Sequence, residues 1–230
     1  MLRSPDSFFS SAPVQALFAR ELEALAPILS GVYGNHGLFL RAHVNAPSAL
    51  PAHLLGRILQ LVLGSGRFSG DLSCEPSLLP FVSESFKLVI AQHVLEQLEA
   101  AEACAAELAR VLAPEGVALV LGFNPAGSWR PWLALNAPRT GAQLHLQTAH
   151  WWQQRLAREQ VDTLQVRFPG TLWPHLEKQT GASPLARFGS TWLLLARKRR
   201  SVLTPLRLRG SAREMALKPR LAPGTQRACA

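Results

Sequence analysis

The sequence predicts an α/β protein whose mostly parallel, seven-stranded sheet ends in an antiparallel last strand. Three observations carry this. Short continuous apolar runs, such as "FKLVIA" (86–91) and "VALVLGF" (117–123), have the composition of strands buried on both faces. Helical periods alternate with those runs, which is the pattern of a covered parallel sheet. The link between the last two runs, Pro169 to Gly189, has Pro, Gly and Trp but little helical period, so the final strand returns antiparallel.

The elements follow in order. Ser11–Leu29 is an amphipathic helix with apolar residues at Val14, Leu17, Phe18, Leu22 and Leu25, and Pro13 suits its first turn. Gly31, Gly34 and Gly37 break it, and "GLFLRAH" (37–43) is a short strand. A Pro-containing segment with room for one short helix spans Asn45 to Arg57. "ILQLVLG" (58–64) is the second strand, ended by Gly64-Ser65-Gly66, and "FSGDLSC" (68–74) is a weak third. After "FKLVIA", Glu96–Leu112 is rich in Ala, Leu and Glu and strongly helical. Pro114 and Gly116 stop it ahead of "VALVLGF". A loop-rich insert covers 124–147, Thr148 caps a helix over Ala149–Arg158, and strands follow at 161–168 and 190–196. The organisation expected is an N-terminal helix over 1–30, a domain over 31–196 and a tail over 197–230.

Charge belongs to the tail. The chain of 230 residues has a formal net charge of +9. Residues 1–196 hold 14 Lys+Arg and 14 Asp+Glu, whereas 197–230 hold 10 Lys+Arg and only Glu214. The body is neutral, so the basic balance describes a tail and no domain face. That tail contains three prolines and no periodic burial, the composition of a solvated extension. Its charge admits docking to nucleic acid or an anionic surface, without base stacking, since no aromatic residue follows Trp192. Cys74, Cys104 and Cys229 form no CxxC pair or Cys/His cluster, so neither a disulfide framework nor a metal site is expected. The start has no apolar core of signal-peptide length, and the longest apolar runs fall short of the ~20 residues of a membrane span. A soluble cytoplasmic protein is expected.

Gly64-Ser65-Gly66 follows a strand, as a nucleotide-binding loop does. Such a loop works only when a helix starts behind it, so that backbone N–H groups meet a phosphate. "RFSGDLSCEP" has no helical period, so a turn between two strands is the better reading. A nicotinamide-dependent oxidoreductase would require a helix beginning near Arg67.

The order "EPSLLPF…SFKLVIAQHVLEQL…ELARVLAPEGVALVLGFNP" resembles the central block of class I S-adenosylmethionine-dependent methyltransferases of the type-11 domain kind. Glu75 stands four residues before Leu79-Pro80-Phe81, and Phe86-Lys87 opens the strand. Glu107, Arg110, Val111 and Leu112 close the helix, and Pro114-Glu115-Gly116 make the turn. "LQTAHWWQQRLAREQVDTLQVRF" is similar to the family's late Thr-initiated helix and strand. The resemblance spans about 31–196 and is specific between 75 and 125. It implies a Rossmann-like, doubly wound sheet and S-adenosylmethionine as cofactor. It also resembles a bacterial subgroup with the same N-terminal helix, a Gly-Phe-Asn-Pro after the fifth strand and a basic tail.

Carried onto this chain, the family's pattern implies cofactor contacts at Ala42 and His43 after the first strand, Glu75, Pro76 and Leu79 around the acid, and Gln92 and His93 at the fourth strand's end. The chain departs from the pattern in several places. Ala42 and His43 stand where the family has glycines, and Gly64-Ser65-Gly66 offers no ribose carboxylate. Pro76 has no N–H for an adenine nitrogen, and Lys87 replaces the family's Asp. His93 is a candidate general base, against the plainer role of a structural donor at a strand end. Asn124 faces the acceptor or simply turns the chain. Trp129, Trp132, Trp151 and Trp152 wall an aromatic or lipophilic acceptor, or pack the insert on the sheet. Leu79 and Phe81 read as packing residues. The function expected is methyl transfer to an unidentified acceptor. The alternative is a non-catalytic protein of this fold that binds a partner or nucleic acid through its tail.

Overall fold

The computed structural model describes residues 6–171, 173–174 and 187–200. Seven strands form one sheet in the order β3-β2-β1-β4-β5-β7-β6. They are β1 (Tyr33–Arg41), β2 (Leu54–Gly64), β3 (Arg67–Gly70), β4 (Phe86–Gln92), β5 (Leu112–Phe123), β6 (Val161–Arg167) and β7 (Thr191–Lys198). The four middle strands β2, β1, β4 and β5 are parallel. β7 runs antiparallel between β5 and β6, as the sequence predicts.

Strand alternation sorts the core into two faces. Leu38, Leu40, Val89, Ala91, Ala118 and Val120 point to the side covered by α3 (Ala101–Val111) and α5 (Ala149–Arg158). Phe39, Leu88, Ile90, Val117, Leu119 and Leu121 point to the side covered by α2 (Ala12–Leu29). α2 turns Leu22, Leu25 and Leu29 onto that face, and all three are buried. Both faces of β4 and β5 are therefore dry, which explains why their sequences read as unbroken apolar runs.

The connections differ from the simple alternation. The segment from Asn45 to Arg57, expected to have room for a helix, forms turns and bends, and β2 begins at Leu54. Pro47 and Pro51 interrupt any helical ladder there. β2 and β3 are an antiparallel hairpin turning on Ser65 and Gly66, both with positive φ. Arg67 opens a strand rather than a helix, which removes the oxidoreductase reading. The helix expected over 96–112 is split into a 3₁₀ turn at Leu95–Gln97 and α3, because Leu98 is extended. The insert holds one helix, α4 (Arg130–Thr140), which the sequence reading leaves as loop, and α1 (Asp6–Phe9) packs against it. Thr148 caps α5 as expected, its hydroxyl accepting from the Trp151 N–H at 3.2 Å.

Lys198 closes the sheet against α3. It is buried, and its Nζ donates to the carbonyls of Ala109 and Leu112 at 2.9 and 2.8 Å. β7 thus continues two residues past the expected end of the domain, and residues 201–230 of the basic tail lie outside the described residues. Among the described residues, no helix is long and apolar enough to cross a membrane.

Ile90 is fully buried between α2 and the sheet. Ile90→Ala is expected to lower unfolding free energy by about 2–5 kcal/mol, read from urea denaturation, because the site cannot collapse around the lost atoms.

Candidate functional site at the strand ends

The polar edge of β4 is bonded inward. Gln92 and His93 are both fully buried. His93 has a left-handed φ of 53°, and this twist turns its ring away from the strand. Nε2 meets the Glu21 carboxylate of α2 at 2.9 and 3.1 Å, and Nδ1 meets Glu96 Oε1 at 2.6 Å. Gln92 Nε2 donates to Glu21 and to the Phe18 carbonyl at 3.0 and 3.2 Å. The second Glu96 oxygen accepts from the Phe123 N–H of β5 at 2.8 Å. Phe18 and Phe123 pack on the imidazole, with ring centroids 4.8 and 4.3 Å away.

A carboxylate at each nitrogen favours the imidazolium form of the ring. Burial pushes its pKa down, but the charges of Glu21 and Glu96 and their hydrogen bonds outweigh this and hold it at about 10. A ring charged at neutral pH, with both N–H groups committed, cannot accept a proton. In this arrangement His93 ties α2 and the 3₁₀ turn at Leu95–Gln97 to the end of β4. Glu21 and Glu96 were not singled out in the sequence. A signal for Glu21 existed: it falls on the apolar stripe of α2, between Phe18 and Leu22.

A second constellation explains the spacing around Leu79-Pro80-Phe81. Arg110 donates to both oxygens of Glu107 at 2.8 Å, and to the carbonyls of Leu79 and Phe81 at 2.9 Å. Glu107 accepts in return from the Leu79 N–H at 2.9 Å. The Arg110 hydrogen bond, first, and the Leu79 N–H hold the Glu107 carboxyl below its ordinary range. The last turn of α3 thus clamps the loop behind Glu75. Leu79 itself is buried in the core.

A cleft opens at the ends of β1 and β2. One cavity, of about 420 Å³, is lined by Glu75, Pro76, Leu98 and the hairpin at Gly66 and Arg67. A second, of about 340 Å³, is lined by Ala42, His43, Ser65 and Phe9. Gly66 and Gln97 line both, so the two form one cleft. Arg67 holds Glu75 at its rim, 3.1 Å away, where both are more than half exposed. Gln97 Nε2 donates to the carbonyls of Ala42 and His93 at 3.2 and 2.6 Å and so ties the cleft wall to the β4 edge. A Cβ on Gly64 or Gly66 would meet nothing within 4 Å, so the hairpin faces free volume.

The expected acceptor residues fall elsewhere. Asn124 is buried and turns the chain: its Oδ1 accepts from the Ala126 N–H, and its Nδ2 donates to the carbonyls of Arg187 and Gly189. Trp129 is buried with Phe8, Phe9, Phe123 and Leu133, and Trp132 packs against that cluster. Trp151 packs edge-to-face on Trp152 over the opposite sheet face. The structure thus brings Ala42, His43, Glu75 and Pro76 to one cleft and keeps Gln92, His93, Asn124 and the tryptophans in packed or hydrogen-bonded positions.

The His93 pKa makes stability depend on pH. The ring's contribution is complete below its ordinary value of 6.5, falls as pH rises, and is lost above about 10. Urea unfolding at stepped pH is expected to show stability falling over this window. Glu21→Ala leaves a buried charge without its partner and is expected to cost about 3–5 kcal/mol at neutral pH, and to flatten the alkaline fall.

Comparison with known proteins agrees with this architecture. Residues 65–120 match the family described as methyltransferase domain. No curated protein sequence matches the chain. A protein of Haloferax volcanii described as a methyltransferase, in complex with the Trm112 methyltransferase activator, superposes with a TM-score of 0.61 at 14% identity over 87% of this chain and 100% of that one. An S-adenosylmethionine-dependent methyltransferase of Thermotoga maritima gives 0.57 at 12% identity, covering 79% of this chain and 89% of its own. An S-adenosylmethionine-dependent methyltransferase by description, from Listeria monocytogenes, gives 0.54 at 14% identity over 83% and 100%. These superpositions show that the chain shares the fold of these proteins, and its residues 65–120 are similar to the methyltransferase domain.

Proposed function

We propose that the chain is an S-adenosylmethionine-dependent methyltransferase acting on an acceptor still to be identified, with its cofactor in the cleft across the ends of β1 and β2. The observation that carries this reading is the cleft itself: Glu75 and Pro76 line one half, and Ala42 and His43 line the other. The donor set fits the cofactor in size and in part in chemistry. Adjoining volumes of about 420 and 340 Å³ suit a nucleoside half and an amino-acid half. Glu75 would accept from the adenine amino group, with Pro76 and Leu98 against the ring. In place of a ribose carboxylate, the Ser65 hydroxyl and the hairpin backbone are the polar groups at hand. The cofactor supplies an electrophilic methyl group on a sulfonium. The task left to this chain is to bind it, align the acceptor and exclude water. A cytoplasmic location belongs to the same reading, in keeping with the free thiols of Cys74 and Cys104.

One observation favours a second reading, a non-catalytic protein of this fold. Gln92 and His93 spend their donors on α2 and Glu96 and offer none to an acceptor. In that reading the basic segment 197–230 would hold a partner such as nucleic acid, and its residues 201–230 lie outside the described residues.

Titration calorimetry with S-adenosylmethionine and S-adenosylhomocysteine separates the two. The first reading expects micromolar binding, weakened about tenfold in Glu75→Ala by loss of one charged hydrogen bond. Absence of binding by the folded protein would overturn it and leave the second.

A further inference from the structure

We propose that the groove along α4 binds an anion with an apolar tail, such as a medium-chain carboxylate, with its head group at Arg130. The groove adjoins the candidate cofactor cleft, since Gly141, Ala142 and Gln143 line both, but its test reads binding alone and needs no methyl transfer. The groove has a volume of about 400 Å³. Its helix wall is the face of α4 from Arg130 through Leu133, Ala134 and Ala137, residues three and four apart, and its other wall is the returning segment with Leu144 and Leu146. Eleven helical residues give it a length of about 16 Å, enough for an extended alkyl chain.

Three features select the ligand. Leu133 and Ala137 are buried at the floor, and Leu144 and Leu146 are half-buried, so the lining is apolar for most of its length. The Arg130 side chain is exposed at one end, and its guanidinium has no partner among the described residues. From Gly116 to Arg158 the sequence contains no Asp or Glu, so this segment offers no carboxylate to compete for that cation. A planar guanidinium with free donors takes a carboxylate bidentately, while the apolar floor takes the tail. A cationic amphiphile would place like charges together and is rejected.

The test uses the full chain with decanoate as probe, and acetate and decyltrimethylammonium as controls. Calorimetry is read beside the fluorescence of Trp129 and Trp132, which flank Arg130 in sequence. Decanoate is expected to bind saturably, with neither control doing so. Arg130→Gln is expected to weaken it about tenfold, the worth of one charge-assisted contact. Ala134→Trp fills the groove and is expected to abolish binding. Both positions are exposed, so unchanged thermal unfolding would show that the variants keep the fold. No saturable binding by the native chain, equal binding by Ala134→Trp, or equal binding of decyltrimethylammonium would overturn the proposal.

Discussion

The buried contact of His93 with Glu21 and Glu96 is the constraint on which the rest of the strand-end architecture depends. It joins α2 to β4 across more than seventy residues of sequence, and Glu96 extends it to the Phe123 N–H of β5. Two carboxylates and an imidazolium removed from water are costly unless each is paired. Here every His93 donor has an acceptor, and Phe18 and Phe123 exclude solvent from the ring. The neighbouring backbone leaves little room for change. A Cβ on Gly122 would come within 2.6 Å of Trp192 and 3.2 Å of Glu96, so a side chain there would disturb the carboxylate.

This constraint also decides where the chain has space. With α2 drawn onto β4 and β5, the aromatic cluster of Phe8, Phe9, Phe123 and Trp129 fills the region in front of them. The free volume moves toward β1 and β2, where the connection after β1 lacks a helix and a hairpin follows β2. Phe9 forms part of the cleft wall there, stacked at 6.3 Å on His43. On the far side, the Glu107–Arg110 clamp holds the loop behind Glu75 in place. The cleft is thus framed by the pinned helix on one side and the clamped loop on the other.

What was legible in the sequence follows from how each element is stabilised. β4 and β5 are buried on both faces, so their composition alone marks them. α5 announces itself through Thr148 and its apolar face. α4 does not, because Pro138 interrupts the expected pattern and its buried side rests on Leu133 and Ala137 alone. Its end is marked only by Gly141 in the left-handed region. The spacing of Glu75 to Leu79-Pro80-Phe81 was readable, but its cause was not, since the clamp depends on residues about thirty positions away. His93 stood out as a strand-end histidine. Its partners did not, because a contact between α2 and β4 has no local sequence signature.

Nitrogen-15 NMR of the His93 ring reads its protonation state. At pH 8 both nitrogens are expected to carry slowly exchanging protons, and added S-adenosylmethionine is expected to leave them so. A neutral ring at that pH, with one bare nitrogen, would contradict this. His93 would then be free to act as a base, and the helix would need another anchor.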